Sequence, residues 1–408
     1  MLRLVIQSAL SLMTLCGIAF CAVSLWASRR FRLSVRERLP TAFTPPVSIL
    51  KPVKGADAES YEAFRSHCIQ DYSGDYEIIF GVNDAADPAI PLVQKLIAEF
   101  PSRNIRLVIC SEVFGTNRKV SNLIHLLCES KYDYVLVNDG DIHVTREYLS
   151  SVMSSFSATD LGMVTCLYRG RPSNTFSSRL EALGISTDFS AGVLTARYME
   201  DGLSFGLGST LAMSRSALEK IGGFEAVVDY LADDYELGKR IGDAGLKVQL
   251  APIIVETSVP PYSFSQFWEH QIRWARTMRA SRPRGYRGLV LTYPLPWSIL
   301  LVLISPSVSW SWTLFAAALG ARGAQAFSLG WLTLRDRFLF RESWLMPLRD
   351  ALALATWIWS YAGNTITWRG ERFRLKDGQI QAISTTLPSS QTESRACLRR
   401  DSTSIGRR

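Results

Sequence analysis

The stretch Leu136–Val144, LVNDGDIHV, joins a continuous apolar run to two carboxylates, Asp139 and Asp141, held apart by one glycine. Asp-Gly between apolar runs is a strong hairpin signal. At the end of a buried parallel strand, the same residues would present two acids at the edge where α/β sheets bind ligands. The flanking sequence separates these readings. The run before Asp139, DYVLV, is apolar without alternation, as expected of a strand covered on both faces. After Asp141 only Ile142, His143 and Val144 precede Thr145, which is placed to cap a helix starting with Arg146-Glu147-Tyr148. A hairpin would have a very short return strand. The acids are therefore read as oxygen ligands for a hard divalent cation that bridges to substrate phosphates. Gly140 lets the chain bend and leaves room for the phosphate.

The surrounding sequence supplies the sheet. Strand-like runs fall at Val47–Lys51, Tyr76–Val82, Ile105–Cys110 and Tyr134–Asn138, with helical patterns between them at Tyr61–Gln70, Ile90–Phe100 and Val120–Ser130. Alternation of this kind predicts an α/β fold with a mainly parallel, Rossmann-like sheet. Asp84 follows the strand YEIIFGV, so it projects at the same edge as Asp139. In YLADDYELGKRIGDAG, Asp233 and Asp234 open a helix that closes near Gly245. They serve either as caps favoured by the helix dipole or as a general base at a helix mouth. In FSQFWEHQIRWART, Phe264, Phe267, Gln271 and Trp274 follow helical spacing. Arg273 beside Trp274 suits either an interfacial anchor or a pyrophosphate site with an apolar wall.

Hydropathy divides the 408 residues unevenly. Leu4–Ala27 carries no charge and is long enough to cross a bilayer core of roughly 30 Å. Arg29, Arg30, Arg32, Arg36 and Arg38 follow it, so residues 1–28 read as an N-terminal transmembrane anchor whose C-terminal side is cytoplasmic. A second apolar region, 286–370, contains the membrane-like segments Leu289–Ser305, Val308–Leu319 and Ala351–Thr367, interrupted by Arg322 and by Arg335, Asp336, Arg337 and Arg341. Two to four short segments are expected there, re-entrant or interfacial ones among them. Residues 40–285 then form a cytoplasmic catalytic domain, and 377–408, rich in Ser and Thr, a disordered tail. The net charge of +8 sits largely beside apolar segments, which favours anionic headgroups or a phosphate-bearing substrate over nucleic acid. Seven cysteines without a C-x-x-C pair fit a reducing compartment.

The ordered set Asp84, Asp139-Gly140-Asp141, Asp233-Asp234-Tyr235 and His270-Gln271-Ile272-Arg273-Trp274 resembles the D, D, D, (Q/R)xxRW signature of family 2-like glycosyltransferases. The stretches GVNDAADPAI, GTNRKVSNL, SFSQFWEHQIRW and NTITWRGERFRL narrow the resemblance to the ceramide glucosyltransferase family (family 21) and its bacterial hopanoid-type relatives, over about residues 1–376. The resemblance implies a GT-A-like fold and an inverting, membrane-bound enzyme. Such an enzyme moves one sugar, glucose or N-acetylglucosamine, from a UDP-sugar to the hydroxyl of a ceramide- or hopanoid-type lipid. It further implies Mg²⁺ or Mn²⁺ on Asp139 and Asp141, and Asp234 as the catalytic base. Donor contacts are implied from Asp84, His270, Arg273 and Trp274, with Lys119, Asn122 and Lys51 as weaker candidates on the nucleotide side, each lysine equally suited to a solvated surface. Leu183–Met199 then either shapes an acceptor entrance or packs as an ordinary helix. His270 stands where the family pattern has Gln or Arg, and histidine still donates a hydrogen bond to phosphate. The implied location is an integral membrane protein, of the bacterial inner membrane type, with its catalytic domain in the cytoplasm. Two other readings compete: a processive polysaccharide synthase, which shares the three acids and the Arg-Trp pair, and a non-catalytic nucleotide- or lipid-binding membrane module.

Overall fold

After a 36-residue N-terminal helix, α1 (Leu2–Glu37), the chain lays down β1 (Val47–Pro52), α2 (Ser60–Cys68), β2 (Tyr76–Val82), α3 (Ala89–Glu99), β3 (Asn104–Ile109), α4 (Arg118–Glu129) and β4 (Tyr134–Val137). The computed structural model describes residues 1–37, 43–157, 160–200, 202–368 and 370–383. The first four strands pair in parallel in the order β3-β2-β1-β4, each within a residue or two of its expected span. Alternation along these strands supplies two cores. Leu50 and Ile79 join Val120 and Leu123 of α4 on one face, while Ile49, Ile78 and Phe80 join Phe64 and Leu96 on the other. Both faces are covered, which is why the strands read as unbroken apolar runs.

The next part of the chain completes the sheet. It runs through β5 (Ile142–His143), α5 (Tyr148–Met153), β6 (Leu161–Pro172), α6 (Phe176–Gly184), a π-helical turn at Ile185–Phe189, α7 (Ser190–Met199), β7 (Leu211–Ser214), α8 (Arg215–Lys220), α9 (Asp233–Asp243) and β8 (Lys247–Val259). The eight-stranded order is β3-β2-β1-β4-β7-β6-β8-β5. β6 and β8 are parallel, whereas β4–β7, β6–β7 and β5–β8 are antiparallel. This is the GT-A-like, mainly parallel α/β architecture that the resemblance implied.

The topology answers the question raised by Asp139-Gly140-Asp141. β4 pairs with β1 and β7, while β5 pairs with β8 at the sheet edge, Ile142 opposite Thr257 and His143 opposite Glu256. The acids lie on a crossing between two parts of the sheet and not in a hairpin turn. The helix expected from Arg146 begins later, at Tyr148. Thr145 uses its backbone carbonyl, which accepts the Tyr148 N–H at 3.2 Å and the Gln70 side-chain amide at 2.9 Å, and its hydroxyl caps nothing there.

Beyond the sheet come α10 (Phe264–Ser281), α11 (Pro283–Gly288), α12 (Pro294–Ile304), α13 (Ser309–Ala326), a π-helical turn at Phe327–Thr333, α14 (Phe338–Glu342) and α15 (Met346–Ser360). A small antiparallel sheet of β9 (Thr365–Trp368), β10 (Glu371–Lys376) and β11 (Gln379–Ala382) closes the described chain. α1 packs against α12 and α13. The Gln7 side-chain amide donates to Ser305 Oγ at 2.5 Å, and at Gly17 a Cβ would fall 2.7 Å from the Pro294 nitrogen. Among the described residues, α1 is the single helix long and apolar enough to cross a membrane. Pro283–Thr292 and Pro294–Ile304 meet that test only when joined across a 48° bend.

Three expected boundaries shift. The Leu289–Ser305 segment breaks at Tyr293, where a 3₁₀ turn meets α12. The Ala351–Thr367 segment stops being helical at Ser360, because Thr365 onward pairs as β9. Gln379–Ala382, placed in the disordered tail by composition, forms β11 against β10. The rest of that expected tail, 384–408, lies outside the described residues.

α9 approaches the preceding loop at backbone distance: a Cβ at Gly238 would lie 2.2 Å from the Gly206 nitrogen and 2.3 Å from the Phe205 carbonyl carbon. Backbone cannot yield as a side-chain tip does, so Gly238→Ala should cost at least the ~3 kcal/mol at the top of the usual overpacking range. Gly242→Ala, on the same helix with open space around it, should be neutral or stabilise by up to about 1 kcal/mol. Denaturant unfolding of the purified chain measures both, and equal effects would contradict the close contact.

Candidate functional site

Asp139 lies two residues past the end of β4 and keeps its carboxylate partly exposed, at 38%. Beneath it Lys51, the fifth residue of β1, is fully buried. Its ammonium donates to the Asp139 backbone oxygen at 3.2 Å and lies 3.4 Å from His67 Nε2. Burial pulls the Lys51 pKa down to about 7, against the attraction of Asp141 and Asp139. Asp141 is fixed to β8: Thr257 Oγ1 donates to its Oδ2 at 2.6 Å and the Ser258 N–H to its backbone oxygen at 3.0 Å. Burial and the neighbouring Asp139 push the Asp141 carboxyl up to about 6, despite the Thr257 bond.

The second acidic pair arrives on α9, whose first turn holds Asp233 and Asp234, where the helix dipole favours negative charge. Asp234 is tightly oriented. Its Oδ2 accepts the Gly208 N–H at 2.8 Å and its Oδ1 accepts its neighbour Tyr235 N–H at 2.8 Å. A Cβ at Gly208 would fall 2.9 Å from Asp139 Oδ2 and 3.3 Å from Asp234 Oδ2, so this glycine lets the two acids share one small space. Lys119 joins the pairs, its ammonium 2.8 Å from Asp139 Oδ1 and 3.0 Å from Asp233 Oδ2. Asn117 sets that position. Its Oδ1 caps α4 by accepting the Lys119 and Val120 N–H groups, and its Nδ2 donates to Tyr230 O at 2.8 Å, just ahead of Asp233. Burial works against the Lys119 charge, but Asp139, Asp233 and Asp234 outweigh it and hold its pKa above the ordinary lysine value. Burial and Asp233 push the Asp234 carboxyl up to about 6, with Lys119 acting in the opposite sense.

A third group lies beside these acids. α10 begins at a capping box made by Ser263 and Gln266 and carries His270, Arg273 and Trp274. His270 Nδ1 is 2.9 Å from Glu181 Oε1, a carboxylate buried on α6, and its ring packs 4.9 Å from Trp274 and 5.5 Å from Tyr262. Trp274 also neighbours Phe189 of the π-helical turn at 6.4 Å. Two tyrosines connect this group to the acids. Burial and then Asp234, Asp141, Asp139 and Glu181 raise Tyr168 well above the ordinary phenol value. Burial first, and then Glu181 and Asp141, raise Tyr262 above the ordinary phenol value, with Arg273 acting in the opposite sense.

The structure thus brings Asp139, Asp141, Lys119 and Asp234 together, with His270 and Trp274 alongside on α10. Asp84 lies at the end of β2 as expected and is exposed, its Oδ1 accepting the Ala86 N–H at 2.9 Å. Asn122 is buried, and its amide pairs with Asn83 and with Gly81 O at the C-terminal end of β2, so it braces the turn that presents Asp84. Sequence reasoning missed Asp233 as a partner of Lys119, along with Thr257, Glu181, Tyr168 and Gly208. Only Gly208, inside the glycine-rich FGLGST, carried a local signal.

Among the described residues no three His, Cys, Asp or Glu side chains form a metal cage. A cation that bridges a diphosphate needs only one or two carboxylates from the protein. Asp139, partly exposed, with Asp141 behind it, provides that donor set, so these residues fit Mg²⁺ or Mn²⁺.

The family model described as Glycosyl transferase family 21 matches residues 9–381. Ceramide glucosyltransferase 3 of Caenorhabditis elegans is 26% identical over 355 residues, covering 82% of this chain and 74% of that protein. Ceramide glucosyltransferase 1 of the same organism is 25% identical over 245 residues, 60% of this chain and about half (52%) of that protein. Among solved structures, the mannosyltransferase PcManGT from Pyrobaculum calidifontis, in complex with GDP-Man and Mn²⁺, aligns over 86% of this chain and 99% of its own, with 20% identity and a TM-score of 0.49.

The proximity of His270 to Glu181 predicts energetic coupling. In a double-mutant cycle, His270→Gln and Glu181→Gln should each destabilise the protein, and the double variant should lose less than the sum. The expected interaction energy is about 0.5–3 kcal/mol. Additive unfolding energies would show that the two side chains do not pair.

Proposed function

The chain belongs to glycosyl transferase family 21, and on that premise we propose that this glycosyltransferase moves one glucose or N-acetylglucosamine from a UDP-sugar to a lipid hydroxyl of ceramide or hopanoid type, inverting the anomeric carbon. The observation that carries the reading is Asp234: an oriented carboxylate at a helix mouth, sharing the Gly208 space with Asp139. In this mechanism an acceptor hydroxyl approaches Asp234, which takes its proton as the oxygen attacks the anomeric carbon. A carboxyl near 6 is a stronger base than an ordinary carboxylate and is still mostly ionised at neutral pH. The Gly208 and Tyr235 N–H groups hold both its oxygens, so the base meets the hydroxyl without reorganising. Asp84 binds the nucleotide. Lys119, Arg273, His270 and Trp274 surround the donor's diphosphate and the acceptor end. Asp139 and Asp141 hold Mg²⁺ or Mn²⁺, which when bound supplies positive charge against that developing on the leaving UDP.

Membrane placement belongs to the same proposal. α1 anchors the chain through residues 1–28, residues 286–370 associate with the bilayer, and the catalytic part, 40–285, faces the cytoplasm. The apolar length of α1 and the arginines after its uncharged run support this. A site tethered there meets a lipid hydroxyl at headgroup level, so that protein and acceptor are already confined to one surface.

The mechanism makes a sign-specific prediction about pH. Since the base must be ionised, kcat should fall as pH drops through about 6. Asp234→Asn should lower kcat by about 10²–10⁴-fold while donor affinity changes little. Asp233→Asn should be milder, because Asp233 acts through Lys119. Steady-state kinetics with a membrane preparation tests this, and near wild-type turnover in Asp234→Asn refutes the base assignment.

Metal removal offers a separate check. Chelation should abolish transfer, and Mg²⁺ or Mn²⁺ should restore it. Asp139→Ala should be more damaging than Asp141→Ala, because one Asp141 oxygen is already engaged by Thr257. Full transfer by metal-free protein, or the reverse ranking, contradicts the ligand assignment.

A further inference from the structure

Sharing no residue with the acid cluster, a cavity of about 370 Å³ opens between the end of α1 and the π-helical turn Phe327–Thr333, lined by Arg29, Arg32, Leu33, Arg36 and Leu332. The three arginines recur at helical spacing, so they share one face of α1. Arg32 fixes the wall: its Nη1 donates to Ser328 O at 3.0 Å, Ser328 Oγ at 3.1 Å and Thr333 Oγ1 at 2.8 Å. Arg29 and Arg36 flank it and are exposed. Among the described residues, no ion pair involves any of the three. Three guanidinium groups therefore face one cavity with no carboxylate to offset them.

The apolar side of the cavity continues outward. Leu332, Phe327, Trp331 and Phe340 are all exposed, and the Trp331 and Phe340 rings pack edge to face at 4.6 Å. Exposed aromatic and leucine side chains beside arginines suit the headgroup level of a bilayer, where one end of a site is apolar and the other charged. Arg29 follows the apolar run Leu4–Ala27 after a single serine, Ser28, which puts the cavity at that level when α1 spans the membrane.

We propose that this cavity binds one anionic phospholipid. Its phosphodiester pairs with Arg29, Arg32 and Arg36, and its acyl chains run along Leu33, Leu332 and the neighbouring aromatic rings. The bound lipid bridges α1 and the π-helical turn from outside, as Arg32 bridges them from within. The inference rests on the membrane placement of α1 and not on the glycosyl-transfer reaction, since none of these residues belongs to the acid site.

Native mass spectrometry of the full-length chain in neutral detergent, with equimolar phosphatidylglycerol and phosphatidylcholine, tests it. The wild type should retain one phosphatidylglycerol in preference by about tenfold or more, as expected for several arginines at a membrane surface. Arg29→Gln/Arg36→Gln should lose that preference while unfolding at the wild-type temperature, because both side chains are exposed. Excess inorganic phosphate should not displace the lipid. Equal retention of the two lipids by the wild type overturns the proposal, as does undiminished preference in the double variant. Displacement by inorganic phosphate would assign the cavity to a soluble anion instead. The readout contains no sugar transfer, so failure of the catalytic reading leaves this result unchanged.

Discussion

The ammonium of Lys119 lies between carboxylates from two separate stretches of the chain: Asp139 just past β4 and Asp233 at the start of α9. Asp234 and Asp141 stand close by, and like charges crowded at low dielectric repel strongly. Lys119 and the buried Lys51 offset these charges only in part. Burial first, and then the neighbouring carboxylates, lift Asp141 and Asp234 out of the ordinary carboxylate range. Much of the local architecture serves this arrangement. Asn117 starts α4 where Lys119 can reach both sides, Gly208 leaves the space that Asp139 and Asp234 share, and Gly238 lets α9 approach the loop before it. The residual negative charge is also the physical reason that a divalent cation suits the site.

The parallel half of the sheet was legible because burial on both faces leaves an unambiguous trace. Val47–Pro52, Tyr76–Val82 and Tyr134–Val137 appear nearly where apolar runs placed them. The position of Asp139 at a strand end followed from that pattern. Less was visible after Asp141. β5 is two residues long and owes its existence to pairing with Thr257 and Glu256 in β8, more than a hundred positions away. No local pattern encodes such a partner, and the same holds for the Thr257 bond to Asp141. The partners of Asn122, Asn83 and Gly81, likewise come from another element and leave no local trace. His270 fits the helical pattern of α10, but only the fold reveals Glu181 beside it.

In the apolar C-terminal region, the sequence shows charges without showing what neutralises them. Arg322 interrupts a membrane-like segment, which by hydropathy alone argues against burial. In the fold its guanidinium is buried and bound to Asp350 at 2.8 Å, to Gln325 at 2.9 Å and to Asp188. Asp188 lies in the π-helical turn between α6 and α7, one residue before Phe189, which packs near Trp274. The helices that follow the catalytic part are thus joined by buried charge to the segment lining it. Breaking a buried pair by removing one partner is costly, so this connection behaves as a fixed joint between the two regions.

The small C-terminal sheet has a consequence for how the protein is made. Ile380 N–H donates to Asp229 O at 2.8 Å, Tyr230 bridges to Gln379, and Leu231 packs with Ile366, Phe373, Leu375 and Ile380. These contacts hold the loop that leads directly into Asp233 and Asp234. During synthesis, that loop leaves the ribosome long before its partners exist. The intervening apolar helices must be translated, and on the proposed placement settled at the bilayer, before β11 can close over the loop. A nascent chain that has finished its sheet therefore still lacks the final support of its acid cluster. Completion of the site is deferred until β9, β10 and β11 have been translated, after every element that precedes them in the chain.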